Sequence, residues 1–471
     1  MAKLTNEELQ KSPELSKLKG ANTISSIDTF CANEMVGYGR EVCSHRAIPS
    51  YIDGLKESTR KVLWCAKDQL KSPLKVFQMC GIVAFKMAYV HGDMSLNKAI
   101  IGLAQPHNSN LSMLEGIGQF GGYHFREAAS PRYISVKLSP MFEYVFMDND
   151  ILTPQWSDGT ECEPVYMLPI IPYGLCNNSS GIAMGFASDI MARNVVDVIK
   201  ECIRTLKNIK KGVETKPKIL VPEIPDFKGS CTLNPGTAKV PNTGNIWDIH
   251  GVYAVDKKGD LHIDEFIGEM DSFISDLMEL RDNKVLTYTR NPDKSYDIKF
   301  KSGYKLDEKM KIKLHLESKT TENPTFTDEN GNIIIFKHVG EMIPKFVAFR
   351  SEFYKTRLKK LIEKTNIDIT MATNRIRFIK EHEDFYKKTD IEKRLEAAKY
   401  DRVYDSYEYL LSMRVDSITA EKIKALEDKL KDLKARLKEL KATDYIDIYL
   451  EDLDTLLAKV TSKKKENADN H

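Results

Sequence analysis

The chain has 471 residues, about three domain-lengths, and carries 70 Lys and Arg against 68 Asp and Glu, so it can bury a sizeable core and its overall charge names no partner. No apolar run approaches the ~18 residues of a membrane span, and the polar start "MAKLTNEELQKSPELSK" lacks the apolar core of a signal peptide. The 8 cysteines include no CxxC pair and no Cys/His cluster at metal spacing; they read as reduced packing residues of a soluble, cytoplasmic protein.

In chain order, Ile24 to Ser44 has helical apolar spacing and opens on Ser25 and Ser26 as caps. "AIPSYIDGLK" is a turn rich in Pro and Gly, and a helix resumes from Thr59 to Leu70. Leu74 to Val90 and Asp93 to Ala104 read as two short helices broken at "HGD", the arrangement of a helix-turn-helix. From Arg40 to Pro140 there are 13 Lys and Arg against 7 Asp and Glu, a surplus compatible with a polyanion and equally with a solvated face.

From Ile151 to about Pro344, Pro and Gly punctuate short β-branched runs such as "GNIIIFKHV", and "DEFIGEMDSFISDLMELRDN" supplies helix, which together read as a mixed α+β domain. "CNNSSGIAMGFAS" is a small-residue loop at which backbone can come close to something, without phosphate-loop spacing. Beyond Lys345 the chain turns helical and charged. Ile423, Leu426, Leu430, Leu433, Leu437 and Leu440 alternate spacings of three and four, a heptad seam, and Phe349, Phe353, Leu358 and Leu361 mark a second amphipathic helix. Arg375 to Met413 reads as helical without heptads. An antiparallel coiled coil with a globular tip fits this pattern, and so does an ordinary helix hairpin.

The segment "GQFGGYHFREAASPRYISVKLSP" places Arg132 and Tyr133 directly after a proline, at the entry to a strand. Pro131 disfavours helix before it, so both side chains should project from an exposed strand entry. A phenol with a pKa of about 10 attacks poorly at neutral pH unless cations or a base assist it. An arginine beside it would grip the non-bridging oxygens of an attacked phosphate with its planar donor fork. The product, a phosphotyrosine ester, lies close in energy to the phosphodiester it replaces. A buried ring beside a solvated guanidinium is the structural alternative.

"RAIPSYIDGLKESTRKVLW", "HGD", "AASPRYISVKLSP", "LPIIPYGLCNNSSGIAMGF", "ENPTFTDENGNIIIF" and "YIDIYLEDLD" occur in an order and spacing that resemble the breakage-reunion subunit of type IIA DNA topoisomerases, over roughly Ile24 to Leu457. The short chain and "AASPRY" look most like the T4-type bacteriophage branch, whose setting would be an infected bacterial cytoplasm. The resemblance implies that Tyr133 joins to a 5′ DNA end with Arg132 as its clamp. It implies that His91 and Arg46 lie in the same pocket, and that Lys56, Arg60 and Lys61 hold DNA backbone. Ile171 would be the apolar wedge that enters a base step. Each has a plainer alternative: His91 as a cap of the Asp93 helix, Ile171 as core, the basic residues as solvated.

The implied fold is α+β and multidomain: a winged-helix DNA-gate domain over 24–150, a mixed α/β tower over 151–345, and coiled-coil arms near 346–374 and 419–441 around a C-gate knob near 375–418. Residues 1–23 form an extension and 461–471 a disordered tail. Two copies would pair through the DNA gate and the knobs, cut both strands, and pass a second duplex. Mg²⁺ and ATP would be held by a separate ATPase and metal-binding subunit, since the carboxylates near Tyr133 are few and "DND" at Asp148 to Asp150 reads as a solvated turn. The chain departs from the family at Val90, which removes a second histidine before His91. It departs again at Asn177 and Asn178, expected to keep a left-handed turn, and at Met94 and Lys98, which imply weak quinolone sensitivity. Tyrosine recombinases are a poorer fit, because their tyrosine lies near the C-terminus; an architectural DNA-binding dimer is the non-enzymatic alternative.

Overall fold

The computed structural model describes residues 27–157, 159–236, 245–381, 391–413 and 420–469; the expected 1–23 extension and its junction lie outside them. A helix (α1) runs from Ile27 to Ala47, α-helical at Ile27–Phe30 and Val36–Glu41 and π-helical at Cys31–Met35 and Val42–Ala47. Its C-terminal end is anchored: Cys43, Ala47 and Ile48 form a small core with Val42, Ala183 and Ile333. Next come α2 (Glu57–Gln69), the short strand β1 (Leu74–Lys75), α3 (Val76–Lys86) and α4 (Asp93–Ala104). Leu74 and Lys75 leave the expected helix and pair with a strand instead.

These helices pack against a three-stranded antiparallel sheet ordered β1, β3 (Ser135–Leu138), β2 (Leu114–Ile117). Register is set by Leu74 opposite Val136 and by Glu115 opposite Lys137, an ion pair at 2.9 Å. Val62, Leu63, Met79, Val83, Leu96, Ile100, Leu114 and Val136 are wholly buried between helices and sheet. The next strands form two hairpins, β4 (Pro154–Ser157) with β5 (Thr160–Pro164) and β6 (Ser179–Ile182) with β7 (Ala187–Ile190). The "CNNSSGIAMGFAS" segment is therefore not a plain loop but carries the β6–β7 hairpin. Neither Asn177 nor Asn178 adopts a left-handed conformation; Asn177 is extended at φ −125°. Their amides tie the segment down instead: Asn178 donates to the His107 carbonyl and accepts from Ala192 N–H, and Asn177 donates to the Tyr173 carbonyl.

One close approach governs this region. Gly54, at φ +68°, lies so near Gly174 that a Cβ on it would fall 2.1 Å from the Gly174 Cα, a distance no side chain tolerates. Helix α5 (Val195–Lys210) follows, capped by the Asn194 side chain. A fully buried Arg193 pairs with Glu322 at 2.6 Å, and Glu322 also accepts from Trp247 Nε1.

A second antiparallel sheet has the order β10 (Val252–Val255), β11 (Leu261–Glu265), β13 (Tyr296–Phe300), β12 (Leu286–Arg290). Its inner face, with Leu261, Ile263, Tyr296, Ile298 and Leu286, closes on Phe273, Leu277 and Leu280 of helix α6 (Met270–Asp282). A third sheet pairs β14 (Glu317–Thr321) with β9 (Ile246–His250) and β8 (Ser230–Leu233). Strands β15 (Thr325–Thr327) and β16 (Ile333–Ile335) form a further hairpin.

The described residues up to Val347, with those from Leu456 onward, form one compact unit, and those between Ala348 and Thr455 form another. In the second unit, helix α7, Met342–Glu381 as a whole, lies against α8 (Ala420–Ala442) and the start of α9 (Tyr445–Asp469). Near its start α7 meets α9, with Tyr354 stacked on Tyr449 at 4.1 Å and Arg357 on Asp452 at 2.6 Å; farther along, Lys380 meets Glu427 of α8 at 3.2 Å, so the chain returns along α7 through α8. On α8 the six seam residues are half-buried, while the residues between them whose side chains are described are exposed. At the far end Phe378, Leu395, Tyr400, Tyr407, Tyr409 and Leu410 make a separate core. Arg375 to Met413 is not helical throughout: Val403 and Ser406 close a turn in which Tyr404 and Asp405 both have positive φ. The tail from 461 reads as disordered in sequence, yet α9 continues through it to Asp469. Within the first unit Val460 is buried and Lys463 pairs with Glu115 at 3.1 Å, which anchors that extension.

Candidate active site and nucleic-acid interface

The tyrosine is presented on a turn. Tyr133 N–H donates to the Ser130 carbonyl at 2.9 Å, immediately before β3, so the segment is a closed turn where an extended strand entry is expected. The turn is docked on the start of α3: Phe77 N–H donates to the Pro131 carbonyl (3.2 Å) and Val76 N–H to the Ile134 carbonyl (3.1 Å). Ile134, at 1 % exposure, anchors it from below while Tyr133 stands 69 % exposed. Arg132 is exposed, and among the described residues neither its guanidinium nor the Tyr133 hydroxyl is engaged in a hydrogen bond or ion pair. A second cation stands close by: Lys75 Nζ donates to the Tyr133 carbonyl at 2.9 Å.

Arg46 and His91 are also exposed. The His91 ring meets Tyr89 edge-on at 5.4 Å. No hydrogen bond or ion pair among the described residues joins Arg46 or His91 to the tyrosine turn. His91 lies two residues before α4 and makes no side-chain cap to it.

Lys56 is half-buried, with Nζ donating to the Ser180 carbonyl at 2.7 Å, and burial pulls its ammonium pKa below the ordinary lysine value. It sits beside the β6–β7 hairpin, where Gly181 presses on α1 so tightly that a Cβ would lie 2.0 Å from the Ala47 carbonyl. This contact brings Arg46, Lys56 and the hairpin to one region of the surface.

Arg60 and Lys61 are corrections. Both are 7 % exposed. Arg60 forks onto Asp53 at 2.6 and 3.2 Å and donates to the Leu55 carbonyl; Asp53, fully buried, also accepts from Leu55 N–H and Met167 N–H. Lys61 donates to the Met87 carbonyl (3.0 Å) and pairs with Glu163 at 2.9 Å. Burial pushes the Glu163 carboxyl up while Lys61 opposes that rise. Their donors are committed inside the protein, because a buried charge must be matched there, and Arg60 holds the turn that carries Lys56.

Ile171 is the second correction: at 0 % exposure it belongs to the core with Leu168, Ile170 and Tyr173, and it cannot enter a base step. Ile182, by contrast, is 89 % exposed at the tip of the β6–β7 hairpin. A sequence signal separates the two. Ile171 ends an apolar run between prolines, whereas Ile182 sits between Gly181 and Ala183 and follows two serines. Asp148, expected in a solvated turn, is 4 % exposed. Among the described residues no three His, Cys, Asp or Glu side chains converge as metal ligands. All eight cysteines are free, and seven are buried. No described helix is long and apolar enough to cross a membrane.

The site thus presents an exposed, unengaged Arg-Tyr pair on a turn held by α3, with Lys75 beside it. Comparison with known proteins gives the class. The family model for the A-type chain of DNA gyrase and topoisomerase IV matches residues 46–454, and the chain belongs to that family. It is similar to the DNA topoisomerase medium subunit of Enterobacteria phage T4, 28% identical over 91% of this chain and 98% of that one. It is also similar to the putative mitochondrial DNA topoisomerase 2 of Caenorhabditis elegans, 27% identical over 96% of this chain but only 41% of the worm protein, so it spans well under half of that relative. In structure it resembles the DNA-binding, cleavage and re-ligation domain of Plasmodium falciparum topoisomerase II, with a TM-score of 0.78, 26% identity, and coverage of 94% of this chain and 65% of that one.

Proposed function

We propose that this chain is the DNA-cleavage and religation subunit of a type IIA topoisomerase. The observation that carries the reading is the Arg132–Tyr133 turn, solvent-facing and unengaged in a chain of the gyrase and topoisomerase IV family. In the proposed step the Tyr133 phenolic oxygen forms a bond to a backbone phosphorus, the bond from that phosphorus to O3′ of the preceding nucleotide breaks, and the phenolic proton leaves while O3′ gains one. Arg132 neutralises the non-bridging oxygens, the role for which a preorganised charged donor is most effective. Religation reverses the exchange without net energy input.

The active site is composite in this reading. Arg46 and His91 of one copy serve Tyr133 of the other, in keeping with the absence of any bond between them within one chain. An exposed aromatic pair on α3, Phe77 at 65 % and Phe85 at 83 %, supports a second copy seated near the tyrosine turn. Lys56 and Arg46 position backbone phosphates, and Ile182 takes the wedge role. The helices α2 to α4 with their sheet are read as the winged-helix gate, the β10–β13 and β8–β14 region as the tower, and the α7–α8 pair with its terminal core as coiled-coil arms and exit gate. Divalent metal and ATP chemistry is assigned to a separate polypeptide, on which direction of strand passage depends.

The test mixes the full chain with an ATP-hydrolysing topoisomerase subunit of the T4 type, plasmid and Mg²⁺, then stops the reaction with detergent. Linear DNA with protein on both 5′ ends is expected, and Tyr133→Phe should remove it while duplex binding persists. Equal covalent yield from the Phe variant rejects the reading, and binding with no adduct from either form favours an architectural DNA-binding dimer.

A further inference from the structure

The loop that delivers the tyrosine is held at two points. Its neck closes where Ala129 N–H donates to the Gln119 carbonyl at 2.9 Å, four residues before Tyr133. Its tip is a tight turn in which Gly122 and Phe125 exchange backbone hydrogen bonds at 2.8 and 3.2 Å, with Gly121 at φ +83°. That tip is fastened to a distant part of the chain. Tyr123 N–H donates to Asp226 Oδ2 (2.8 Å), the Tyr123 ring lies on Phe227 with centroids 4.6 Å apart, and Met270 N–H donates to the His124 carbonyl at 3.0 Å.

His124 makes the most specific tie. Its ring stacks on Phe266 at 4.1 Å, and Phe266 stacks on Phe273 at 3.9 Å, so a row of rings runs from the loop tip into the core of the β10–β13 sheet. Its Nδ1 is 2.9 Å from the Gly268 carbonyl and its Nε2 is 2.6 Å from Glu265 Oε1. A carbonyl oxygen can only accept, so Nδ1 carries a hydrogen, and the short contact to Glu265 needs a second proton between ring and carboxyl. Both ring nitrogens are thus committed to holding the loop on the sheet domain, leaving none to meet a ligand.

We propose that His124 is a positioning residue for the tyrosine. By tying the tip of the 119–129 loop to the four-stranded sheet, it fixes the stance of Arg132–Tyr133 and transmits displacements of that sheet to the nucleophile. The inference rests on the reading of Tyr133 as nucleophile. Orientation is where such a tie acts, because misplacing a reacting group by an ångström costs on the order of 10²-fold in rate.

The test uses the full chain with His124→Phe, which keeps the ring stack and removes both donors, and Glu265→Gln, which retains a side chain able to hydrogen-bond the ring. Hydrogen exchange of the isolated chain reads the tie: H124F should raise exchange over 118–129 by roughly tenfold, the scale of one hydrogen bond to a charged group, with E265Q keeping most of the protection. With Mg²⁺ and the ATP-hydrolysing partner chain, single-turnover cleavage of an end-labelled duplex should fall by about 10- to 100-fold in H124F. Duplex affinity should stay within about twofold, and the cleavage rate of E265Q should fall between those of the wild type and H124F. Wild-type cleavage by H124F, or a rise in exchange spread over the whole of 27–347, overturns the proposal. Absence of any Tyr133-linked DNA in the wild type sinks the cleavage reading instead, and the exchange pattern still decides whether the tie exists.

Discussion

Arg132 and Arg60 come from the same basic stretch, and the protein uses them in opposite ways. Arg132 is exposed with no partner among the described residues, on a turn whose backbone is tied to α3. Arg60 is buried and doubly hydrogen-bonded to a carboxylate that also accepts from two backbone N–H groups. The first geometry leaves charge available for a substrate; the second commits charge to holding a loop in shape. Availability, more than residue type, separates a group free to meet a substrate from one that places such a group.

The comparison can be broken from either side, and the largest expected effect is chemical. Tyr133→Phe should lower covalent DNA linkage at least about a thousandfold without moving the unfolding midpoint, as read by denaturing gels and urea titration. Asp53→Ala leaves the Arg60 guanidinium buried and unpaired, and should cost about 3–5 kcal/mol in denaturant unfolding of the full chain. Arg132→Ala should cost less than ~0.5 kcal/mol in the same assay, and a large loss there would erase the distinction drawn between the two arginines.

The two isoleucines sharpen the same point. Ile171→Ala should destabilise by about 2–5 kcal/mol because it empties a sealed core site. Ile182→Ala should leave stability within ~0.5 kcal/mol while reducing duplex bending, measured by energy transfer between end-labelled dyes. The smallest effect is expected at Lys56: replacing it by Gln should weaken duplex binding at all sequences alike and reduce the slope of log affinity against log salt by about 1. An unchanged slope would show that its bond to Ser180 is never exchanged for a phosphate.

Much of the architecture is legible in the sequence. Asp93–Ala104 occupies the helix that its spacing predicts, the seam from Ile423 to Leu440 is the half-buried face of α8, and Tyr133 stands out in solvent. What escapes a linear reading is pairing at a distance. Arg60 looks solvated because its carboxylate lies seven positions earlier across a glycine turn, and Lys61 because Glu163 lies 102 positions away. Helical spacing gives the face of a side chain but not what has been folded against it. Ile171 passes for a projecting side chain because it shares a motif with Ile182, whose place directly between Gly181 and Ala183 is the better clue. Leu74 and Lys75 read as helix because two residues are too few to show a strand period; only pairing with β3 defines them.

The contact between Gly54 and Gly174 has a consequence for the ancestry of this surface. Where two large side chains crowd each other, a change in one can be forgiven by trimming the other. Here both positions have already been reduced to hydrogen, so no second change can make room. The turn that bears Lys56 and the segment leading into the Ile182 hairpin are welded back to back, and an insertion of even one methyl group at the seam would pry apart Lys56 and Ile182 in a single step.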